Sequence, residues 1–258
     1  MTEPLNQYNA LVTRPKHQAD TLCSLIEQQG WNAIRFPTLE IVALDNDKIR
    51  QQIEKINQYR WLIFISVNAV NFALSANDGK IEQFKQCSIA AVGKATEKSL
   101  HTIGLPSVLV PDSNFNTEGL LATKEMNNIK DMACLIVRGN GGRETLANTL
   151  RERGATVDYM EVYTRKMPVY NYLKVAKMLK LDSLGLITIT SGDALKNLLA
   201  MIAEELHDKL KSIPLIVISR RIKELAEQNG FEHIIVTKRP GDTAIIEAAV
   251  EMRAFGKS

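Results

Sequence analysis

The chain has 258 residues, 45% of them hydrophobic and 24% charged, enough to bury a substantial core in one large domain or two small ones. Its 32 basic and 29 acidic residues leave a net charge of +3, too even a balance for a nucleic-acid or membrane surface. No apolar run approaches the roughly 20 residues of a membrane span.

In chain order, the opening MTEPLNQYNALVTRP lacks a basic stretch followed by an apolar one, so no secretory leader is expected. A strand is predicted at 10–13 and an amphipathic helix at 18–29. Gly30 stands at the helix C′ position, and a second strand follows at 31–36. Short, continuously apolar strands come next at 61–65 and 89–92. The series then restarts with a strand at 134–137, a helix at 143–153, Gly154 and a strand at 156–160. Further apolar strands are predicted at 186–190 and 215–218. Unbroken apolar strands alternating with helices imply parallel sheets covered on both faces, built from right-handed βαβ units. The three cysteines, Cys23, Cys87 and Cys134, lie far apart and are odd in number. Reduced, buried thiols in a reducing compartment, the cytoplasm, follow.

The two series are copies of one another. Arg14 and Arg138, Leu22 and Leu146, and Gly30 and Gly154 each lie 124 positions apart. Ser66 and Ser191, and Ala69 and Ala194, lie 125 apart, while Gly104 to Gly230, Val110 to Val236 and Thr117 to Thr243 each span 126. An offset that drifts by about two over a whole half is what duplication followed by two small indels leaves. The segments 36–41 and 162–167, punctuated by Pro37 and Pro168, occupy matching places and are read as two chain crossings between domains. The first domain is then discontinuous, 1–37 with 168–258, and the second is 38–167. The fold class is α/β, two similar doubly wound parallel-sheet domains joined by a two-stranded linker, with a ligand expected in the cleft between them.

Ligands of such sheets bind beyond the carboxyl ends of the strands. The loops predicted there are rich in Ser, Thr, Asn, Gly and Arg, and many precede a helix, where free N–H groups and the dipole favour anions. The same residues are also the best N-caps, so each loop by itself reads as well as a cap as it does as an anion contact. Arg138-Gly139-Asn140-Gly141-Gly142-Arg143-Glu144 fails the dinucleotide pattern at its third glycine and lacks the ending of a phosphate-binding P-loop. It is read as a tight strand-to-helix turn. His17, His101, His207 and His233 have no metal spacing, and no serine sits in a nucleophile elbow. From the residues alone, no metal site, nucleophile or cofactor loop is expected, and an enzyme built this way works by positioning.

Over nearly its whole length the sequence resembles the uroporphyrinogen-III synthase family. The resemblance is carried by Leu11-Val12-Thr13-Arg14-Pro15, Phe64-Ile65-Ser66-Val67-Asn68-Ala69-Val70, Val92-Gly93-Lys94-Ala95-Thr96, the 138–144 turn, and Val162-Tyr163, in that order and spacing. It implies conversion of hydroxymethylbilane, a linear tetrapyrrole, to the cyclic III isomer with loss of water and with no cofactor or metal. It implies a cytoplasmic monomer in transient contact with hydroxymethylbilane synthase, binding neither nucleic acid nor membrane. By this resemblance Tyr163 is the catalytic residue, donating a proton or orienting a water; the bland reading of Tyr163 is a packed linker tyrosine. Arg14, Ser66, Asn68, Lys94, Thr96, Arg138, Gly139, Asn140, Ser191, Gly192 and Thr243 are the expected substrate-binding residues. At Ser219-Arg220-Arg221 relatives often carry a glycine turn like that at Gly93 to Thr96, and this chain does not. Two other classes stay open: a non-catalytic two-domain binder of a small anion, and a nucleotide-linked transferase using the 139–144 turn.

Overall fold

A computed structural model of the chain describes residues 9–105, 108–169 and 171–255. Among the described residues are eleven strands: β1 (Asn9–Val12), β2 (Asn32–Arg35), β3 (Glu40–Ala43), β4 (Trp61–Phe64), β5 (Ser88–Ala91), β6 (Val108–Leu109), β7 (Ala133–Gly139), β8 (Thr156–Lys166), β9 (Leu184–Ile189), β10 (Leu215–Val217) and β11 (Ile234–Val236). They form one sheet ordered β11-β10-β9-β1-β2 and another ordered β3-β8-β7-β4-β5-β6. The chain divides into two compact units, one assembled from residues up to Glu40 with those from Lys166 on, the other from Ile41–Arg165.

All neighbours in the first sheet pair in parallel, as do β8-β7-β4-β5-β6 in the second. Read as β6-β5-β4-β7-β8, the second sheet has the strand order of the first, with β7 at the place of β1 and β4 at that of β9. These are the pairings that the repeat offset makes.

Strand alternation explains the unbroken apolar runs. Side chains of successive residues leave a sheet on opposite faces, so a strand covered on both faces needs apolar residues at every position. In the second unit Leu62, Phe64, Leu135 and Val137 join one core cluster, while Trp61, Ile63, Cys134 and Ile136 join the other. In the first unit Leu11, Ile187, Leu215 and Val217 face one core, and Ala10, Val12, Leu186 and Ile216 the opposite one.

Three local expectations are revised. The helix expected at 18–29 begins as a 3-10 turn, Lys16–Gln18, behind Pro15; the α-helix is Asp20–Gln28, and Ala19 before it offers no side-chain cap. The helix expected from 143 is Thr145–Glu152, because Gly141 and Gly142, at φ of +72° and +116°, hold the turn in left-handed backbone that a right-handed helix excludes. The segments at 156–160 and 162–167 fall largely in one eleven-residue strand, β8, with a register shift where Arg138 faces Glu161 and Gly139 faces Tyr163. A bulge of this kind redirects side chains. It lets the consecutive Val162 and Tyr163 both enter the same core cluster, which strict alternation forbids.

Candidate active site

Because its strands run in parallel, the second unit gathers the ends of β4, β5, β7 and β8 at one edge of its sheet. After β4, Ser66 caps the helix Val67–Ala76: its Oγ accepts the Ala69 N–H at 3.1 Å. After β5, Gly93 occupies the cap position of Lys94–Thr102 and provides no side-chain cap. After β7 comes the 139–144 turn, and β8 carries Tyr163 and Arg165 two residues apart.

Tyr163 is fully buried, its ring 5.5 Å between centroids from that of Phe72. Its Oη lies 3.2 Å from Ser66 Oγ and accepts a hydrogen bond from Arg165 Nη2 at 3.4 Å. The Arg165 guanidinium sits 5.6 Å from the ring centre. Close packing extends to the turn: a Cβ on Gly139 would stand 2.4 Å from Tyr163 Cε2, and the Asn140 N–H donates to the Tyr163 carbonyl at 2.7 Å. Glycine is required at position 139 because the phenol ring takes the space a side chain needs.

Arg138 is 3% exposed and spends its donors on its own loop. Nε donates to the Gly139 carbonyl at 3.2 Å, Nη2 to the Gly141 carbonyl, and Nη1 to Glu144 Oε1 at 3.0 Å. Its guanidinium lies 4.7 Å from the centre of the Tyr159 ring, and the Tyr159 hydroxyl donates to Glu144. That hydrogen bond, then the one from Arg138, holds the Glu144 carboxyl below its ordinary range. Burial first, and then the bond to Glu144, push the Tyr159 phenol up. A cavity of about 220 Å³ opens beside this network, lined by Gly139, Arg143, Tyr159, Tyr163 and Arg165 among others.

The other expected residues of this unit lie at the same strand ends. Lys94 pairs with Glu97 at 3.1 Å and lies over the Phe115 ring at 5.3 Å; Thr96 is buried; Asn140, exposed, donates to Glu161 at 3.0 Å. Asn68 is in the first turn after Ser66.

Arg14, Ser191, Gly192 and Thr243 belong to the first unit. Ser191 caps the helix Gly192–Met201 by accepting the Ala194 N–H at 3.1 Å, as Ser66 does in the second unit. Arg14 pairs with Asp242 at 2.5 Å, at the start of the helix Asp242–Phe255 on which Thr243 is exposed. Ser219 caps Arg220–Gln228 through the Ile222 N–H at 3.4 Å, so the sequence that departs from the glycine turn keeps a helix start by another means. A cavity of about 310 Å³ is bordered by Gly192, Lys196 and Arg221.

Sequence reasoning missed Arg165 as a site residue. The spacing of Tyr163 and Arg165 along one strand was the available signal. The Glu144–Tyr159 bond, across 15 positions, had none. Burial raises the thiols of Cys87 and Cys134 to about 11, which keeps them protonated and poor nucleophiles; burial also pushes the Cys23 thiol up. Among the described residues no group of His, Cys, Asp and Glu is placed to hold a metal ion, and no helix is long and apolar enough to cross a membrane.

Fold and site together define a two-unit, parallel-sheet α/β protein with helix starts, hydroxyls and one buried phenol gathered at strand ends. The family model described as uroporphyrinogen-III synthase HemD matches residues 20–247, and the chain belongs to that family. It is 30% identical over 241 residues to the uroporphyrinogen-III synthase of Escherichia coli, covering 92% of this chain and 98% of that one. The Salmonella typhimurium synthase is 29% identical over 242 residues, 92% of this chain and 98% of its own. The fold matches a mutant uroporphyrinogen III synthase from Thermus thermophilus at a TM-score of 0.66 and 15% identity, over 97% of this chain and 100% of that one. The Helicobacter pylori synthetase gives 0.65 and 16%, over 95% and 100%.

Proposed function

We propose that the chain cyclises hydroxymethylbilane to uroporphyrinogen III, inverting the last pyrrole ring with loss of water. The observation that carries this reading is the Tyr163 phenol in the wall of the 220 Å³ cavity, held by Ser66 and Arg165, in a chain of this family. Tyr163 donates a proton to the departing hydroxyl, and the pyrrole nitrogen stabilises the azafulvene that forms. The last ring attacks through its substituted carbon, giving a spiro intermediate that rearranges and closes. Closure releases one proton from a pyrrole carbon, equal to the one Tyr163 gave, so the cycle balances with water as the only by-product.

The substrate's acetates and propionates suit hydroxyl and N–H donors at helix starts better than deeply buried cations. Asn68, Lys94, Asn140 and Thr243 offer side chains to them. Ser66, Gly93, Ser191 and Gly192 shape helix starts whose free N–H groups do the same. Gly139 shapes the edge around the phenol, and Thr96 stands in the first turn of the helix after Gly93. Arg138 acts through the loop it holds, and Arg14 through the Asp242 end of its helix. We further infer that the two units are domains descended from one duplicated unit and joined by a two-stranded linker. The enzyme works as a cytoplasmic monomer, and its substrate comes from hydroxymethylbilane synthase by transient contact.

The test is purified, chelator-treated protein mixed with hydroxymethylbilane, with product isomers separated chromatographically. Enrichment of the III isomer over the spontaneous I isomer is expected. Production of the I isomer alone sinks the assignment, and retention of unchanged bilane would favour a non-catalytic binder.

A further inference from the structure

We infer that Ser66 is a positioning residue that turns the Tyr163 proton toward the cavity. The inference rests on the proposed reaction and deepens it.

The argument is a count of donors and acceptors. A serine hydroxyl has one proton and two lone pairs, and a phenol likewise donates once. Ser66 Oγ accepts the Ala69 N–H at 3.1 Å as the cap of Val67–Ala76, and its other neighbour in hydrogen-bond range is Tyr163 Oη at 3.2 Å. If Tyr163 donated to Ser66, the serine oxygen would accept twice and its own proton would be left without a protein acceptor. If Ser66 donates to Tyr163, the phenolic proton is the one left free instead, which is the arrangement the proposed proton delivery requires. The phenol oxygen also receives the Arg165 Nη2 proton at 3.4 Å, a donor that has nothing to accept with. With two donors aimed at Oη, the phenolic proton is left for the cavity, where Tyr163 forms part of the wall. The same two donors then face the oxygen when it has lost its proton, where charge-assisted bonds are strongest. The duplicate serine, Ser191, caps its helix in the same way; the bond to a tyrosine is described at Ser66. The helix cap accounts for the serine's acceptor, and the phenol accounts for its proton.

The test separates these two jobs. Ser66→Thr keeps both the capping acceptor and the hydroxyl proton. Ser66→Asp keeps the acceptor, since aspartate is a good N-cap, but at neutral pH it carries no proton and draws the Tyr163 proton to itself. We expect S66T to stay within about threefold of the parent kcat. S66D should lose roughly 10- to 100-fold in kcat, at and below the lower bound of the usual range for proton-transfer help, with a smaller change in KM and a raised share of the I isomer. In a Tyr163→Phe background, S66D should cost little more, because the proton it misdirects is gone. Thermal unfolding of S66D close to that of the parent excludes a folding defect. An S66D enzyme with parental kcat, an S66T enzyme as slow as S66D, or an undiminished S66D loss in the Tyr163→Phe background each overturns the inference. A parent protein that yields only the I isomer overturns the functional reading instead, and the inference falls with it.

Discussion

At the scale of single residues, the proposed chemistry concentrates on one hydroxyl. Tyr163→Phe removes only the oxygen that Ser66 and Arg165 approach, and the ring that packs against Phe72 and Gly139 stays. We expect turnover to fall roughly 10- to 1,000-fold, in and just below the usual range for general acid–base help, with the fold intact by circular dichroism and the I isomer rising as an internal control. Ser191→Ala and Thr243→Ala should each cost less, because in the proposed reading several donors share the substrate carboxylates and water replaces any one of them. A Tyr163→Phe protein of normal rate and pure III product would make the residue structural. Tyr163 was legible in the sequence through the Val162-Tyr163 motif, and Ser66 through its own motif. Their contact across 97 positions was not, since nothing in either segment specifies the other. The sequence placed Arg138 at the start of a tight strand-to-helix turn. The fold buries it, because Nε, Nη1 and Nη2 find two carbonyls and the carboxylate of the turn that follows.

At the scale of elements, the 139–144 turn and β8 shape the edge. The turn is held from one side by Arg138 and from the other by Tyr163, and its two left-handed glycines delay the helix to Thr145. Glu144 closes the arrangement by binding Arg138 and Tyr159 at once. Its carboxyl is held below the usual value of 4.5, chiefly by the Tyr159 hydrogen bond. A carboxyl lowered by folding stabilises the native state above its unfolded-state value, and that contribution disappears as pH falls through the lowered native value. Glu144→Gln should therefore lower the melting temperature at neutral pH, and the deficit should shrink progressively on acidification below about 4.5. Thermal scans of both proteins across pH check the sign, and a deficit that grows on acidification would contradict it. The glycines and the strand-to-helix turn were readable from Gly139 to Gly142 in the sequence. The bulge in β8 was not, because a register shift is a property of a strand pair and periodicity describes one strand at a time.

At the scale of the whole molecule, each unit has its own sheet with a core cluster on either face. The second unit is one continuous stretch, Ile41–Arg165, so as an isolated fragment it should fold alone and unfold in a single cooperative transition. A fragment with native-like secondary structure but no cooperative melt would show that its core needs the rest of the chain. The amino-acid sequence by itself determined the class of fold and the places of most strands, because burial on both faces imposes an apolar run that one segment displays unaided. It also carried the motifs of the family. Tertiary structure alone decided which strands are neighbours, the order β11-β10-β9-β1-β2 repeated as β6-β5-β4-β7-β8, the shift that turns Tyr163 into the core with Val162, and the meeting of Ser66, Tyr163 and Arg165 at one oxygen. The physical reason is the same in each case: pattern and propensity act within a segment, whereas a hydrogen bond between side chains is set by the packing of strands distant in sequence.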